Sequence, residues 1–310
     1  MKYMIYQSCL LDEIQSTNKI ENIHSTRNDI FEILKDTKHI HNTKIISIVN
    51  SYKQLDKYKD LQFNSKFIRH IYDEMMKDAY QSKKDHPDGI TFRKKQVYVT
   101  DGINNVHQGF YPEDKIEKGM HEFYELNHLD IDIYLKIIIA HFLIETIHPF
   151  YDGNGRLGRI IMSIQLKNTS DTLLAYVAST IINNHKSNYY KALEEGRDIH
   201  QFGNVNEYVL KMLELFIDGL HTTLDSLNDQ LNQISSWSEL DYIHTKSQKK
   251  IYEYLYMSTI FTYFGLSIEE LMDFTSVSKR TLMSTLSILK EHNMLEIKKL
   301  GKTNYYKLNI

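Results

Sequence analysis

Residues 148 to 159 read His-Pro-Phe-Tyr-Asp-Gly-Asn-Gly-Arg-Leu-Gly-Arg. An imidazole can take up a proton, and a carboxylate can hold a hard cation. Glycines let backbone amides approach an anion, and two arginines can bind further anionic oxygens. Taken one at a time these residues are ordinary: Asp-Gly-Asn-Gly is a common turn, and paired arginines usually mark a solvated helix face. Gathered in one stretch, in this order, they suit a nucleotide triphosphate carrying one cation, with His148 as a base and Asp152 as the cation's ligand.

Such groups need a rigid mount, and the flanking sequence predicts one. Leu135 to Ile144 is apolar almost all round, as in a helix buried in the core. Lys136, His141 and Glu145 interrupt it, and it is too short to span a membrane. Pro149 disfavours helical geometry at His148, so the helix should end there and present the imidazole in a turn. Beyond the turn Leu157, Ile160, Ile161 and Ile164 form one face of a second helix, with Arg156 and Arg159 as neighbours off that stripe. Asn154 is expected to cap this helix, leaving unpaired amides and a positive dipole end beside Gly153 and Gly155.

The stretch resembles the signature of the Fic family, His-x-Phe-x-Asp/Glu-Gly-Asn-Gly-Arg-x-x-Arg, at every specified position. Members are mostly protein adenylyltransferases, which move AMP from ATP to a protein hydroxyl. The resemblance implies His148 as the general base acting on a Ser, Thr or Tyr hydroxyl, and Asp152 as the Mg²⁺ ligand. It implies that Gly153, Asn154 and Gly155 cradle the α- and β-phosphates while Arg156 and Arg159 steady the β- and γ-phosphates. Phe150 would anchor the loop in the core. Relatives that transfer phosphate carry Lys at the position of Gly155, which favours adenylyl transfer here; transfer of another nucleotide or of phosphate is the alternative.

Three weaker matches accompany it. Ser16 to Asn22 resembles the family's inhibitory helix, placed near 14–24, in which Glu21 would pair with Arg159 and block the γ-phosphate, with Thr17 one turn before it. Gly89, Arg93, Val97 and Val99 match the target-docking hairpin, the flap at 89–99, which binds extended segments by strand addition. Arg93, Lys94 and Lys95 would either favour an acidic target or simply keep a strand edge soluble. Gly109 to Pro112 fits the loop after the flap. Tyr189 and Tyr190 lie in a segment like the family's adenine pocket, where they either stack on a base or serve as core aromatics. Relatives often carry an Asn shortly after this pair, whereas here Glu194-Glu195-Gly196-Arg197 follows.

The chain has 310 residues, enough for two cores, and a formal net charge of −3, which supplies no strong global attraction to nucleic acid or membrane. Its single cysteine, Cys9, excludes an intramolecular disulfide and agrees with a reducing, cytoplasmic setting. The first residues have no signal-peptide pattern, and no Cys/His grouping has zinc spacing. Towards the C-terminus the pattern changes: helices are predicted over Lys246 to Met257, Ser267 to Phe274 and Ser278 to His292, then two alternating strands around Leu300-Gly301-Lys302. This order resembles a winged helix. Seven basic residues lie between 276 and 310 against two glutamates, which points to duplex DNA through Ser278, Lys279, Arg280, Thr281 and Lys302; a dimer module is the alternative use.

The expected architecture is mainly α: a Fic-type helical fold with a small β-hairpin flap, plus a C-terminal winged helix-turn-helix domain. The expected boundaries are an N-terminal helical region at 1–85, a catalytic core at 86–231 containing the signature loop 148–159, a linker at 232–244 and the winged helix at 245–310. ATP is the expected substrate and Mg²⁺ the expected cofactor. The expected partners are a hydroxyl-bearing target protein or the chain itself, DNA at the winged helix, and a second copy of the chain, with no membrane. The rival from another class is a DNA-binding regulator whose pocket only senses ATP; a sensor has no need of His148.

Overall fold

The chain is described by a computed structural model over residues 1–36, 43–58, 63–77, 79, 86–100, 105–169, 173–201, 203–235 and 240–310. Two compact units divide it, Asp12–Leu34 with Ile40–Leu220, and Met1–Leu11 with Lys35–His39 and His221–Ile310. The division falls inside two helices, α1 (Lys2–Ile20) and a long helix near residue 220, so it follows packing rather than sequence order. The mainly helical class with a small hairpin expected from the sequence is the one observed.

In the larger unit α2 (Arg27–Leu34), α3 (Thr43–Lys53) and α4 (Ser65–Met76) precede a hairpin of β1 (Tyr98–Thr100) and β2 (Asn105–Gln108). The strands are antiparallel, pairing Tyr98 with Gln108 and Val99 with His107. After α5 (Glu113–Glu125) come α6 (Ile133–Ile147) and α7 (Asn154–Asn168), which pack against each other around the signature loop. The smaller helices α8 (Ala178–Asn184) and α9 (Lys186–Gly196) lead into α10 (Asn206–Ser235). α10 runs into the stretch expected as a linker, of which residues 236–239 lie outside the described residues.

α6 ends where Pro149 predicts. His148 caps it in the left-handed region, φ 54° and ψ 61°, with its N–H donating to the Ile144 carbonyl at 3.0 Å. A side chain in that region costs about 1–2 kcal/mol, so other contacts must hold His148 there. α7 begins differently from expectation. Gly153, at φ 77°, occupies the cap position, and Asn154 is the first helical residue. The Asn154 side chain turns back instead: its Oδ1 accepts from the Phe150 N–H and its Nδ2 donates to the Phe150 carbonyl, both at 2.9 Å. This clasp closes the loop while the Phe150 ring, fully buried, stacks on Tyr72 at 3.6 Å and meets Phe92 edge-on.

The C-terminal unit has the predicted element order: α11 (Lys246–Phe261), β3 (Leu266–Ser267), α12 (Ile268–Thr275), α13 (Lys279–Glu291), β4 (Leu295–Leu300) and β5 (Thr303–Leu308). The sheet order is β3-β5-β4, and Ile297 pairs with Tyr306. Ser267, where the sequence predicts this helix to start, caps α12 in a reciprocal capping box with Glu270. Leu255, Leu271, Leu282, Leu289 and Leu308 form the core of this unit.

Asn154→Ala would leave the buried Phe150 N–H and carbonyl without partners. We expect a loss of about 2–3 kcal/mol, the desolvation cost of unpaired buried groups, read as a lower urea midpoint at unchanged slope.

Candidate active site

The loop between α6 and α7 presents its groups to one side. His148 is half-buried, and its Nδ1 lies 3.4 Å from the Glu145 carbonyl. Burial pushes its pKa down to about 4, against a partial upward pull from Glu145, so the imidazole is neutral and able to accept a proton at ordinary pH. Asp152 is mostly exposed. One carboxylate oxygen accepts from the Gly153 N–H at 2.6 Å and the other from Arg156 Nη2 at 3.0 Å. Arg156 is 2% exposed, and its Nε and Nη1 are buried without hydrogen-bond partners. Buried donors of that kind normally have an acceptor.

Arg159, 1% exposed, is occupied by α1. Its Nε donates to the Thr17 hydroxyl at 2.8 Å and its Nη2 to Glu21 Oε1 at 2.5 Å. Burial works against its charge, but Glu21 beside it and Tyr189 and Glu145 behind it hold the guanidinium above its usual pKa. Glu21 Oε1 would lie 2.5 Å from a Cβ placed on Gly155, so the absent side chain is what lets an anionic oxygen settle over the first turn of α7. α1 ends just before Glu21 because Asn22 turns left-handed at φ 56°, with the Ile23 N–H returning to the Asn18 carbonyl at 2.8 Å.

The segment matched to the flap is organised less as strand than expected. Gly89 and Arg93 precede the hairpin, Val97 stands just outside it and Val99 lies within it. Glu113 gathers the N–H groups of Ile90, Thr91 and Phe92 at 3.1, 2.8 and 2.9 Å, and a side chain on Gly89 would strike that carboxylate. The reading of Arg93 as a surface charge for an acidic target is overturned. It is fully buried, with Nε donating to the His148 carbonyl at 3.0 Å and Nη2 to the Phe110 carbonyl at 2.8 Å. Arg93 is therefore one of the contacts that hold His148 in its left-handed conformation. Tyr151, an unspecified position of the signature, donates to Asp88 at 2.6 Å and ties the loop to the same segment.

The tyrosine pair divides. Tyr189 is 1% exposed and its hydroxyl lies 2.9 Å from His141 Nε2, which closes it to a stacking base and corrects its assignment to the nucleotide site. Tyr190 is 46% exposed, and Lys186 lies over its ring. A cleft of about 740 Å³ opens between β2 and α9, lined by His107, Gln108, Lys191, Glu194 and Arg197 among others. His107 and Arg197 both reach the backbone leading to His148: His107 Nε2 lies 2.6 Å from the Thr146 carbonyl, and Arg197 Nη2 donates to the Glu145 carbonyl at 2.7 Å. Neither contact shows in the sequence, because each joins residues about 40 to 50 apart.

In the C-terminal unit the Ser278 hydroxyl caps α13 by accepting from the Thr281 N–H, and it also bonds the Thr281 hydroxyl at 2.9 Å. These two side chains already have partners, while Lys279, Arg280 and Lys302 are exposed. Lys298 and Lys307 pair with Glu296.

If His148 is the base, activity with the Glu21→Gly variant should be flat from about pH 6 to 8 and fall only as pH approaches the value near 4, where the imidazole protonates. An initial-rate pH series, corrected for unfolding, checks this.

The Fic/DOC family model matches residues 62–166, which contain the hairpin, α6 and the signature loop. A protein of Aquifex aeolicus (strain VF5) named a probable protein adenylyltransferase is 38% identical over 72 residues, 23% of this chain and 20% of the relative. The chain thus spans about a fifth of that curated relative's length. Among solved structures, a Fic family protein from Desulfovibrio desulfuricans G20 aligns with a TM-score of 0.60 and 19% identity, over 98% of this chain and 87% of the other. Fic-1 from C. elegans aligns with a TM-score of 0.51 and 14% identity, over 74% and 64%. Those likenesses concern the fold; the match to the Fic/DOC family model is confined to residues 62–166, about a third of the chain, and takes in the complete signature loop.

Proposed function

We propose that the chain is a protein adenylyltransferase restrained by its own N-terminal segment. The observation that carries this reading is the Glu21 carboxylate held by Arg159 over Gly155, at the N-terminal turn of α7. An anionic oxygen already sits where amides, a helix dipole and two buried guanidinium groups converge, and a triphosphate offers the same chemistry. In the reaction a target hydroxyl oxygen bonds to the α-phosphorus, the bond to the pyrophosphate oxygen breaks, and His148 takes the hydroxyl proton. Arg156 and Arg159 bind the departing phosphates, and the α7 amides stabilise charge on the α-phosphoryl oxygens.

Asp152 fits Mg²⁺. It is a single exposed carboxylate beside the phosphate site, and Mg²⁺ typically takes one or two carboxylates together with substrate phosphates and water. The ion would supply charge neutralisation on the phosphates; Arg156 holds the carboxylate in place meanwhile. A target strand would add to the hairpin beside His148, with main-chain pairing setting register and leaving side-chain choice wide. Glu21 occupies one arginine and places negative charge where the γ-phosphate belongs. ATP bound around it would be misplaced for in-line attack, and such misplacement can cost about 10²-fold in rate.

The deciding assay is transfer from ATP labelled at the α- or the γ-phosphate to protein, with Mg²⁺ present. We expect label from the α-position only; γ-label alone would convert the reading to phosphate transfer. His148→Ala should lower the rate on the order of 10²–10⁴-fold with little change in ATP affinity. Glu21→Gly should raise it, and should lower the melting temperature without ATP, because Arg159 becomes an unpaired buried charge; ATP should restore it.

For the C-terminal unit the proposed partner is duplex DNA, supported by exposed Lys279 and Arg280 at the start of α13 and Lys302 between β4 and β5. Binding of the full chain should weaken steeply with salt, and Lys279→Ala should flatten the slope of log affinity against log salt by about one unit. A gel-shift titration across salt concentrations measures both.

A further inference from the structure

Glu13, Thr17 and Glu21 follow one another at four-residue steps, which places them along one face of α1 and its end. Thr17 and Glu21 are explained by Arg159. Glu13 is the third polar residue of that stripe and is 0% exposed. Its Oε2 accepts from the backbone N–H groups of Ser179 at 2.7 Å and Thr180 at 3.2 Å, and its Oε1 accepts from the Tyr52 hydroxyl at 2.9 Å. Ser179 and Thr180 stand in the first turn of α8, whose cap residue Val177 makes no side-chain cap bond. Glu13 therefore satisfies amides that would otherwise be orphaned, from a different part of the chain.

Packing alone does not call for a carboxylate here. Leu11 and Ile14 already supply the apolar contacts of this part of α1, and an aliphatic residue would be buried at less cost. Apolar contacts also tolerate small rotations and slides of a helix, whereas hydrogen bonds to two fixed amides and a hydroxyl do not. Lys186, at the start of α9, donates to the Ile20 carbonyl at 3.0 Å and holds the other end of the same stretch. Glu13 and Glu21 are separated by about 12 Å along the helix axis at 1.5 Å per residue.

We propose that Glu13 is a positioning residue for Glu21: by docking α1 on the first turn of α8 it sets the rotation and register that bring the Glu21 carboxylate onto Arg159, so that the restraint is a latch with two points of attachment. This rests on the reading of Glu21 given above. The bonds Glu13 accepts favour its carboxylate form, but burial works against that charge and prevails. Burial raises its pKa to about 7, with the bonds from Ser179, Tyr52 and Thr180 pulling partly the other way. The titratable group facing it is Tyr52 of α3, itself raised by burial, with the polar Ser179 and Thr180 from α8. Because the docked value lies above that of a free glutamate, docking is strongest with the proton present and is lost as pH rises through about 7.

The test uses the full chain as wild type, Glu13→Ala, Glu21→Gly and the double variant. It measures initial self-labelling from α-labelled ATP, and amide hydrogen exchange at residues 21–23, 179 and 180. We expect Glu13→Ala to raise the rate about fivefold or more with Glu21 present and to change it less than about twofold in the Glu21→Gly background, the non-additivity of residues acting as one unit. Exchange protection at both segments should fall together. Equal rate factors in the two backgrounds, or unchanged protection at 21–23 in Glu13→Ala, overturn the proposal. If Glu21→Gly labels no faster than wild type, the restraint reading fails by itself, and exchange at 21–23 still decides whether Glu13 positions that segment. In a further arm, the ratio of Glu21→Gly to wild-type rates should fall from about pH 6 to about pH 8 and stay level when both chains carry Glu13→Gln. An equal fall with Gln at 13 removes Glu13 as its source.

Discussion

The first turn of α7 leaves its backbone amides without a side-chain cap, and the loop before it is closed by other contacts. A helix start normally satisfies its own amides with the side chain of its cap residue. Here the cap is a glycine, and the asparagine that follows spends its amide on closing the loop behind it. The loop is thereby locked without covering the helix end. Gly153 supplies the left-handed turn that this requires, and Gly155 leaves the approach to the amides clear.

Holding that loop takes contacts from well outside it. Phe150 is sandwiched with Tyr72 and Phe92, from α4 and from the segment ahead of the hairpin. Arg93 bonds the His148 carbonyl and Tyr151 reaches Asp88, so the loop and the segment before the hairpin share one hydrogen-bonded network. The strained backbone of His148 is thus supported from the segment ahead of the hairpin. On the proposed reading, base and docking edge are built as one piece, which favours in-line geometry over adaptability.

Charge governs the other side. Two guanidinium groups, nearly without solvent exposure, border the same turn. Burying a cation without compensation is costly, so the site is stable only with anionic oxygen beside it. Asp152 serves Arg156, and α1 brings Glu21 to Arg159. On the proposed reading, the segment that completes this charge balance also competes with an anionic ligand for the same arginine. In that reading restraint and stability follow from a single ion pair.

The signature loop, the helices on either side of it and the helix start at Ser267 were legible in the sequence by itself, whereas the pairing of Glu21 with Arg159, 138 residues apart, was implied only by the family resemblance. The local readings rest on residues close together or on a pattern with a fixed period: Pro149 ending α6 and the apolar face of α7. The roles of Arg93, Glu113, His107, Lys186 and Glu13 were not legible. A lone charged residue reads the same whether it ends in solvent or in a buried hydrogen bond, and their partners lie from about 17 to more than 160 residues away. The same holds for Tyr189 and Tyr190, adjacent in sequence and alike in chemistry. Successive residues of a helix point about 100° apart, so one ring enters the core and the other faces outward. Local chemistry is written in the order of residues, but which side of each element meets another is decided only when the elements pack.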